Sequence, residues 1–246
     1  ASAPGGRARI RAGAAGRARG LGVLPAGPVG GTPATRPAEA GADVVASDLT
    51  PELFEAGRRI AADRGVELQW QEADAEALPY ADAEFDVVMS CVGVMFAPFH
   101  QAAADEVVRV VKPGGTIGLI NWTPTGFIGQ MFATMKPFAP PPPPGALPPP
   151  QWGDEEHVRS LFGDRVADLE LRRENAVIDR FADGTEFRDF FKTFYGPTVA
   201  VYKANAGEPD RIAELDRALA DLATRHDLGN GRMEWEYLLV TARRSV

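Results

Sequence analysis

A chain of 246 residues with 45% apolar side chains can fill the core of one α/β domain carrying an insertion. Its net charge of -8 is unevenly spread: residues 1–40 hold six Arg and one acid, a local +5, which leaves -13 for the remainder. An acidic body repels phosphates, which argues against nucleic acid as a partner and for a small molecule. Cys91 has no second cysteine to pair with, and His100, His157 and His226 lack metal-ligand spacing, so neither a disulfide nor a metal is expected. The most apolar stretch, Ile117 to Ala139, is broken by Asn121, Pro124, Gln130 and Lys136 and is not expected to enter a membrane. No signal-like segment stands out, and the cytoplasm is the expected compartment.

In residues 1–40, Ala, Gly, Pro and Arg account for 31 of the 40 positions. Such low complexity suits a disordered linker, and less well a targeting peptide, since Ser2 is its only serine. It also suits a GC-rich gene read out of frame, because GCN, GGN, CCN and CGN encode these four residues, and this is the reading we favour. From Gly41 the pattern becomes regular. Asp43–Ser47 reads as a buried strand, and Thr50-Pro51-Glu52 as the start of a helix capped by Thr50 and running to about Arg64. Val66, Leu68 and Trp70 alternate with polar residues as in a half-buried strand ending at Asp74 and Ala75.

Phe85–Ser90 is a continuous apolar run, hence a central strand; Pro98 opens a helix; Lys112-Pro113-Gly114-Gly115 turns the chain into strand Thr116–Asn121. Strands and helices alternating with short turns imply parallel pairing. Residues 137–150 contain nine prolines, which excludes helix and central strand and marks 122–150 as an insertion over the sheet. The pattern then predicts a helix over Glu155–Phe162, strand-like runs at Val166–Arg172 and Ala176–Ile178, helices within Glu186–Tyr195 and Pro209–His226, and a closing strand over Glu236–Thr241.

Asp48 closes the first regular strand, where an acid can accept from both hydroxyls of a ribose. The ordered set Asp48, Asp74, Phe85-Asp86-Val87-Val88 and Lys112-Pro113-Gly114-Gly115 resembles the class I (Rossmann-like) S-adenosylmethionine-dependent methyltransferases over about Gly41 to Asn121. The resemblance implies a seven-stranded, mostly parallel sheet with helices on both faces and an antiparallel last strand. It implies S-adenosylmethionine as donor and a small-molecule methyl acceptor. By the same resemblance Asp48 takes the ribose, Leu49 covers the adenine face, Asp74 accepts from the adenine amine, the Ala75 N–H donates to the ring, and Ser90 lines the donor pocket. No catalytic base stands out: His100 follows the fourth strand, but a lone histidine at a helix start is more often simply solvated. Phe96 and Trp122 are candidates to face the sulfonium, or are plain core rings.

One part departs from the family pattern. No acid-x-Gly-x-Gly-x-Gly loop precedes Asp48; Gly27-Pro28-Val29-Gly30-Gly31 has glycines without the acid or the spacing, among prolines at 25, 28, 33 and 37. The first strand-helix unit is therefore expected to be degraded and donor binding weak. Two alternatives stay open, a non-catalytic or damaged scaffold and, less favoured, a nicotinamide-linked oxidoreductase. The insertion 122–150 is expected to select the substrate and to be weakly anchored.

Overall fold

The computed structural model describes residues 19–23 and 34–246. Seven strands form one sheet: β1 (Arg19–Val23), β2 (Asp43–Asp48), β3 (Gln69–Glu72), β4 (Phe85–Cys91), β5 (Val111–Trp122), β6 (Val166–Ile178) and β7 (Met233–Arg244). Their order is β3-β2-β1-β4-β5-β7-β6. The first five pair in parallel, and β7 runs antiparallel to both β5 and β6. The expected seven-stranded Rossmann-like sheet with an antiparallel last strand is the observed one.

The expected loss of the first strand is corrected. Arg19–Val23 sits in the interior of the sheet, hydrogen-bonded to β2 on one side and β4 on the other. The helix behind it is cut short: α1 spans only Thr35–Glu39, with Pro37 inside it. Residues 1–18 and 24–33, including the Gly27–Gly31 run, lie outside the described residues.

Strand alternation sorts the core into layers. On β2, Val44 and Ala46 pack with Phe54 of α2 (Leu53–Asp63), whereas Val45 faces the opposite cluster. That opposite cluster joins β4, β5 and the even-numbered β7 residues Leu238, Val240 and Ala242 to α3 (His100–Val110) and α5 (Glu155–Phe162). The predicted α5 boundaries hold, and Asp154 caps it by accepting the His157 N–H. Thr50 does not cap α2, which begins at Leu53 without a side-chain cap.

The Lys-Pro-Gly-Gly turn is a bulge in β5. Phe85 pairs with Val111 and Val87 with Thr116, so four residues of β5 stand opposite the single Asp86 of β4 between the two pairs. Gly114 has φ +74, and a Cβ on Gly115 would lie 2.8 Å from the Lys112 carbonyl oxygen and 2.9 Å from that of Asp86.

The insertion is better anchored than the sequence suggested. Phe127–Met135 forms α4, and its Phe127, Ile128, Met131 and Met135 are buried in a second cluster. The other walls of that cluster are α6 (Gly184–Phe194), α7 (Gly196–Ala204), α8 (Pro209–His226) and the odd-numbered Met233 and Trp235 of β7. Phe127 stacks on Trp235 at 5.5 Å and meets Phe187 edge-on at 5.1 Å. Burying each such ring contributes roughly 1.5–3 kcal/mol, too much for a loosely held lid. Apart from the short link 123–126, the irregular part is the proline segment from Ala139 to Pro148, and it too is tied down where the Leu147 N–H donates to the Pro98 carbonyl.

His100 is not a solvated helix-start residue. It is 1% exposed, and its Nδ1 lies 2.8 Å from His157 Nε2, joining the start of α3 to α5 beneath Trp152. Among the described residues no group of three potential metal ligands occurs. Burial, and then the neighbouring imidazole, push the His100 pKa down to about 4.

Two outcomes follow. Gly153 lies against the Trp122 carbonyl and Thr123 Cα so closely that a Cβ would overlap both, so Gly153→Ala should cost about 1–3 kcal/mol in urea unfolding. The second concerns acid. Folded His100 protonates near pH 4 but the unfolded chain near 6.5, so the unfolded state binds more protons between these values. Stability should fall as pH drops from 6.5 to 4, by up to about 3 kcal/mol from this residue, and that part should be missing in His100→Leu. Equal pH slopes for the two proteins in urea unfolding would refute the assignment.

Candidate functional site

The strand order reverses at β1, whose neighbours β2 and β4 connect outward in opposite directions, and such a point opens a crevice at the carboxyl ends of the strands. The crevice here is a cleft of about 340 Å³, a size suited to a small ligand. Its walls are Asp48–Thr50 after β2, Ala73–Glu76 after β3, and Gly93 with Phe96–Pro98 after β4.

Asp48 ends β2 directly beyond the β1–β2 pair Val23–Ser47 and is 7% exposed. Its Oδ1 accepts the Thr50 N–H at 2.8 Å, and its carbonyl accepts the Ala73 N–H at 3.0 Å, linking the first two walls. Burial raises its pKa, and hydrogen bonds from Thr50 and Leu49 oppose the rise. The result is an acceptor held in place by its own turn. Leu49 stands 64% exposed at the rim, an apolar side chain left open at the cleft mouth.

Asp74 lies two residues past the end of β3. Its Oδ1 accepts the Glu76 N–H at 2.9 Å and its carbonyl the Ala77 N–H at 3.1 Å, forming a tight turn that puts Ala75 on the cleft wall. Helix α3 holds the segment after this turn. Glu106 accepts the Leu78 N–H at 2.6 Å, while Arg109 donates to the Leu78 and Tyr80 carbonyls and pairs with Glu106 and Asp82. The pairing keeps the Glu106 carboxyl below its usual range.

Four of the five expected site residues, Asp48, Leu49, Asp74 and Ala75, meet in this cleft. Ser90 is not among its lining residues. It is buried at the end of β4, and its hydroxyl accepts the Val94 N–H at 2.8 Å, capping the single turn Val94–Phe96. Ser90 thus shapes the backbone that brings Phe96 to the wall. Trp122 does not line the cleft; it packs against Trp235 and Tyr237.

Sequence reasoning missed Glu76. Its Oε1 accepts the Phe99 N–H at 2.7 Å, which joins the acidic loop to the start of α3 across the cleft. The only signal was its place in Glu72-Ala73-Asp74-Ala75-Glu76, where the adjacent Asp74 drew the attention.

The residues fit the donor that the family uses. A buried carboxyl group stands at one wall, a turn with a second acid and a backbone N–H at another, and half-buried Phe96 at the third. Residues 24–119 match the profile of the methyltransferase domain family. An uncharacterized protein of Mycobacterium tuberculosis is 47% identical over 231 residues, 94% of this chain and 84% of its own length. The demethylmenaquinone methyltransferase of Thermus thermophilus is 38% identical over 84 residues, 34% of this chain and 38% of its own. The crystal structure of a SAM-dependent methyltransferase from Methanosarcina mazei superposes with a TM-score of 0.53 at 13% identity, covering 94% of this chain and 93% of that one, a likeness of fold. Sheet order, cleft and sequence kinship agree: the chain belongs to the class I S-adenosylmethionine-dependent methyltransferases.

Proposed function

We propose that this methyltransferase acts on a small-molecule acceptor, with Asp48 receiving the ribose hydroxyls of the donor. In this reading Asp74 and the Ala75 N–H receive the adenine edge, and Leu49 covers one face of the ring. The observation that carries it is the convergence of a buried carboxylate and the acidic turn on one ligand-sized cleft at the point where strand order reverses. Support for the acceptor class comes from the charge of the body and from a relative named for demethylmenaquinone, itself a small molecule. The compartment we propose is the cytoplasm, where a reducing environment suits the lone thiol of Cys91.

S-adenosylmethionine, when bound, supplies an electrophilic methyl on a sulfonium leaving group. The protein then has to orient and to exclude water. Asp48, buried and fixed by the Thr50 N–H, fixes the ribose end. Glu76 keeps the walls after β3 and β4 together through the Phe99 N–H. Phe96 presents an apolar ring that keeps solvent from the third wall. No side chain is assigned as base, and His100 is removed from that role by its burial against His157.

Calorimetric titration with S-adenosylmethionine tests the reading. Against the weak binding expected from the sequence, the intact chain should bind, because β1 is in place between β2 and β4 beside Asp48; Asp48→Ala and Asp74→Ala should each weaken binding about 10- to 100-fold, the range for losing hydrogen bonds to a charged group. Glu76→Ala should weaken it about 3- to 10-fold, and Glu76→Gln should restore it because the amide oxygen still accepts from Phe99. An intact chain that does not bind, or an Asp48→Ala variant that binds as the parent does, would sink the assignment.

A further inference from the structure

The acidic turn at the cleft belongs to a stretch with little structure of its own. From Asp74 to Glu84 the chain forms no helix or strand, only an isolated bridge between Asp74 and Ala77, and Leu78 is the one fully buried side chain in it. Helix α3 fixes this stretch at both ends. At the start of the helix, Glu76 accepts the Phe99 N–H. Towards its end, Glu106 accepts the Leu78 N–H, Arg109 donates to the Leu78 and Tyr80 carbonyls, and the Arg109 carbonyl accepts the Ala83 N–H at 2.9 Å.

Arg109 donates through all five of its N–H groups. Nε and Nη2 each donate to one oxygen of Glu106 at 2.7 Å, and Nη2 also donates to the Leu78 carbonyl at 3.0 Å. Nη1 donates to the Tyr80 carbonyl at 2.7 Å and to Asp82 Oδ1 at 2.8 Å. The Asp82 side chain is 78% exposed, so that ion pair contributes little. The bonds to two loop carbonyls from one rigid plane do more: they fix the carbonyls relative to each other and to the helix.

Reading adenine requires an acceptor for its amine and a donor for the adjacent ring nitrogen, and an oxo-purine presents the opposite pattern. A site built on such a pair rejects the wrong base only while both groups are held in place. We propose that Arg109, with Glu106, is the positioning residue that sets selectivity for adenine over an oxo-purine, by holding the loop that carries Asp74 and the Ala75 N–H against α3. The inference rests on the adenine reading of that turn. Arg109 is not among the residues lining the cleft, so it acts through the loop.

Calorimetric titration of the full chain compares S-adenosylhomocysteine with S-inosylhomocysteine, in which an oxo group replaces the amine. The parent should favour the adenine ligand by at least about 10-fold. Arg109→Met should weaken S-adenosylhomocysteine about 10-fold and leave S-inosylhomocysteine within about 2-fold, so that the ratio falls toward one. Arg109→Lys should behave like Arg109→Met, because one ammonium cannot span both carbonyls and Glu106. Glu106→Gln, the variant to use if neither Arg109 variant folds, should lower the ratio about 3-fold, since its amide turns a donor toward the Leu78 N–H or Arg109. Equal weakening of both ligands, or a parental ratio in these variants, would overturn the proposal. Asp74→Ala reports separately on the adenine reading. A preference lost in Asp74→Ala but kept in Arg109→Met rejects this proposal alone. The reverse rejects Asp74 as the reader and keeps Arg109 in its role, and a parent without preference overturns both.

Discussion

The site depends on where β1 ends, and β1 is placed by one carboxylate at its other end. Asp86 on β4 accepts the Arg19 N–H at 3.0 Å through Oδ2 and the Lys112 ammonium at 2.9 Å through Oδ1, tying β1, β4 and β5 together at the base of the sheet. Arg19 adds an ion pair to Glu84 at 3.0 Å. These charges are partly exposed and contribute little energy each. Their role is alignment. A strand of five residues containing two glycines has weak register preferences, and a slip of one residue would turn every side chain to the other face. With Gly20 held opposite Val44 and Val87, Val23 ends beside both Ser47 and Ser90, and the cleft opens just beyond them.

The second constraint is aromatic. The helical cluster around Trp235 joins Phe127 of the insertion to Phe181, Phe187 and Phe191 from far along the chain. It turns the first half of the insertion into core. Two half-buried rings, Phe96 and Trp122, pack against both this cluster and the sheet core, so the cleft wall at Phe96 inherits the rigidity of both. The proline segment is left with a local role, supporting the rim where Leu147 bonds Pro98 and Gly145 lies against Phe99.

Much of the sheet was legible because burial writes directly into alternation. Continuous apolar runs gave β2 and β4, and the acids following β2 and β3 stood where the order of motifs implied. β1 was illegible because Arg19-Gly20-Leu21-Gly22-Val23 is short and carries two glycines, which are poor strand formers, within a stretch dominated by Ala, Gly, Pro and Arg. α7 was missed because Gly196-Pro197 reads as a break, although proline is well suited to a first helical turn. β6 read as two pieces because it is an edge strand, with Arg172, Arg173 and Glu174 exposed or half-exposed and a bulge at Asp168, φ +52, displacing the alternation. Ser90 was read by its position at a strand end. Position alone could not show that the backbone of Val94 already uses its hydroxyl.

The histidines show the same limit in a sharper form. His100 and His157 stand 57 positions apart in sequence, and nothing in their local contexts links them. They meet because α3 and α5 pack on the same face of the sheet, with Trp152 closing over the pair. Burial then removes His100 from proton chemistry in the cleft even though Pro98, two residues earlier, lines it. The polar groups of the described cleft include the carboxylates of Asp48, Asp74 and Glu76, groups that in the proposed reading hold and orient rather than transfer protons. Such a site suits a reaction whose leaving group arrives with the donor, because positioning is then most of what the protein must supply.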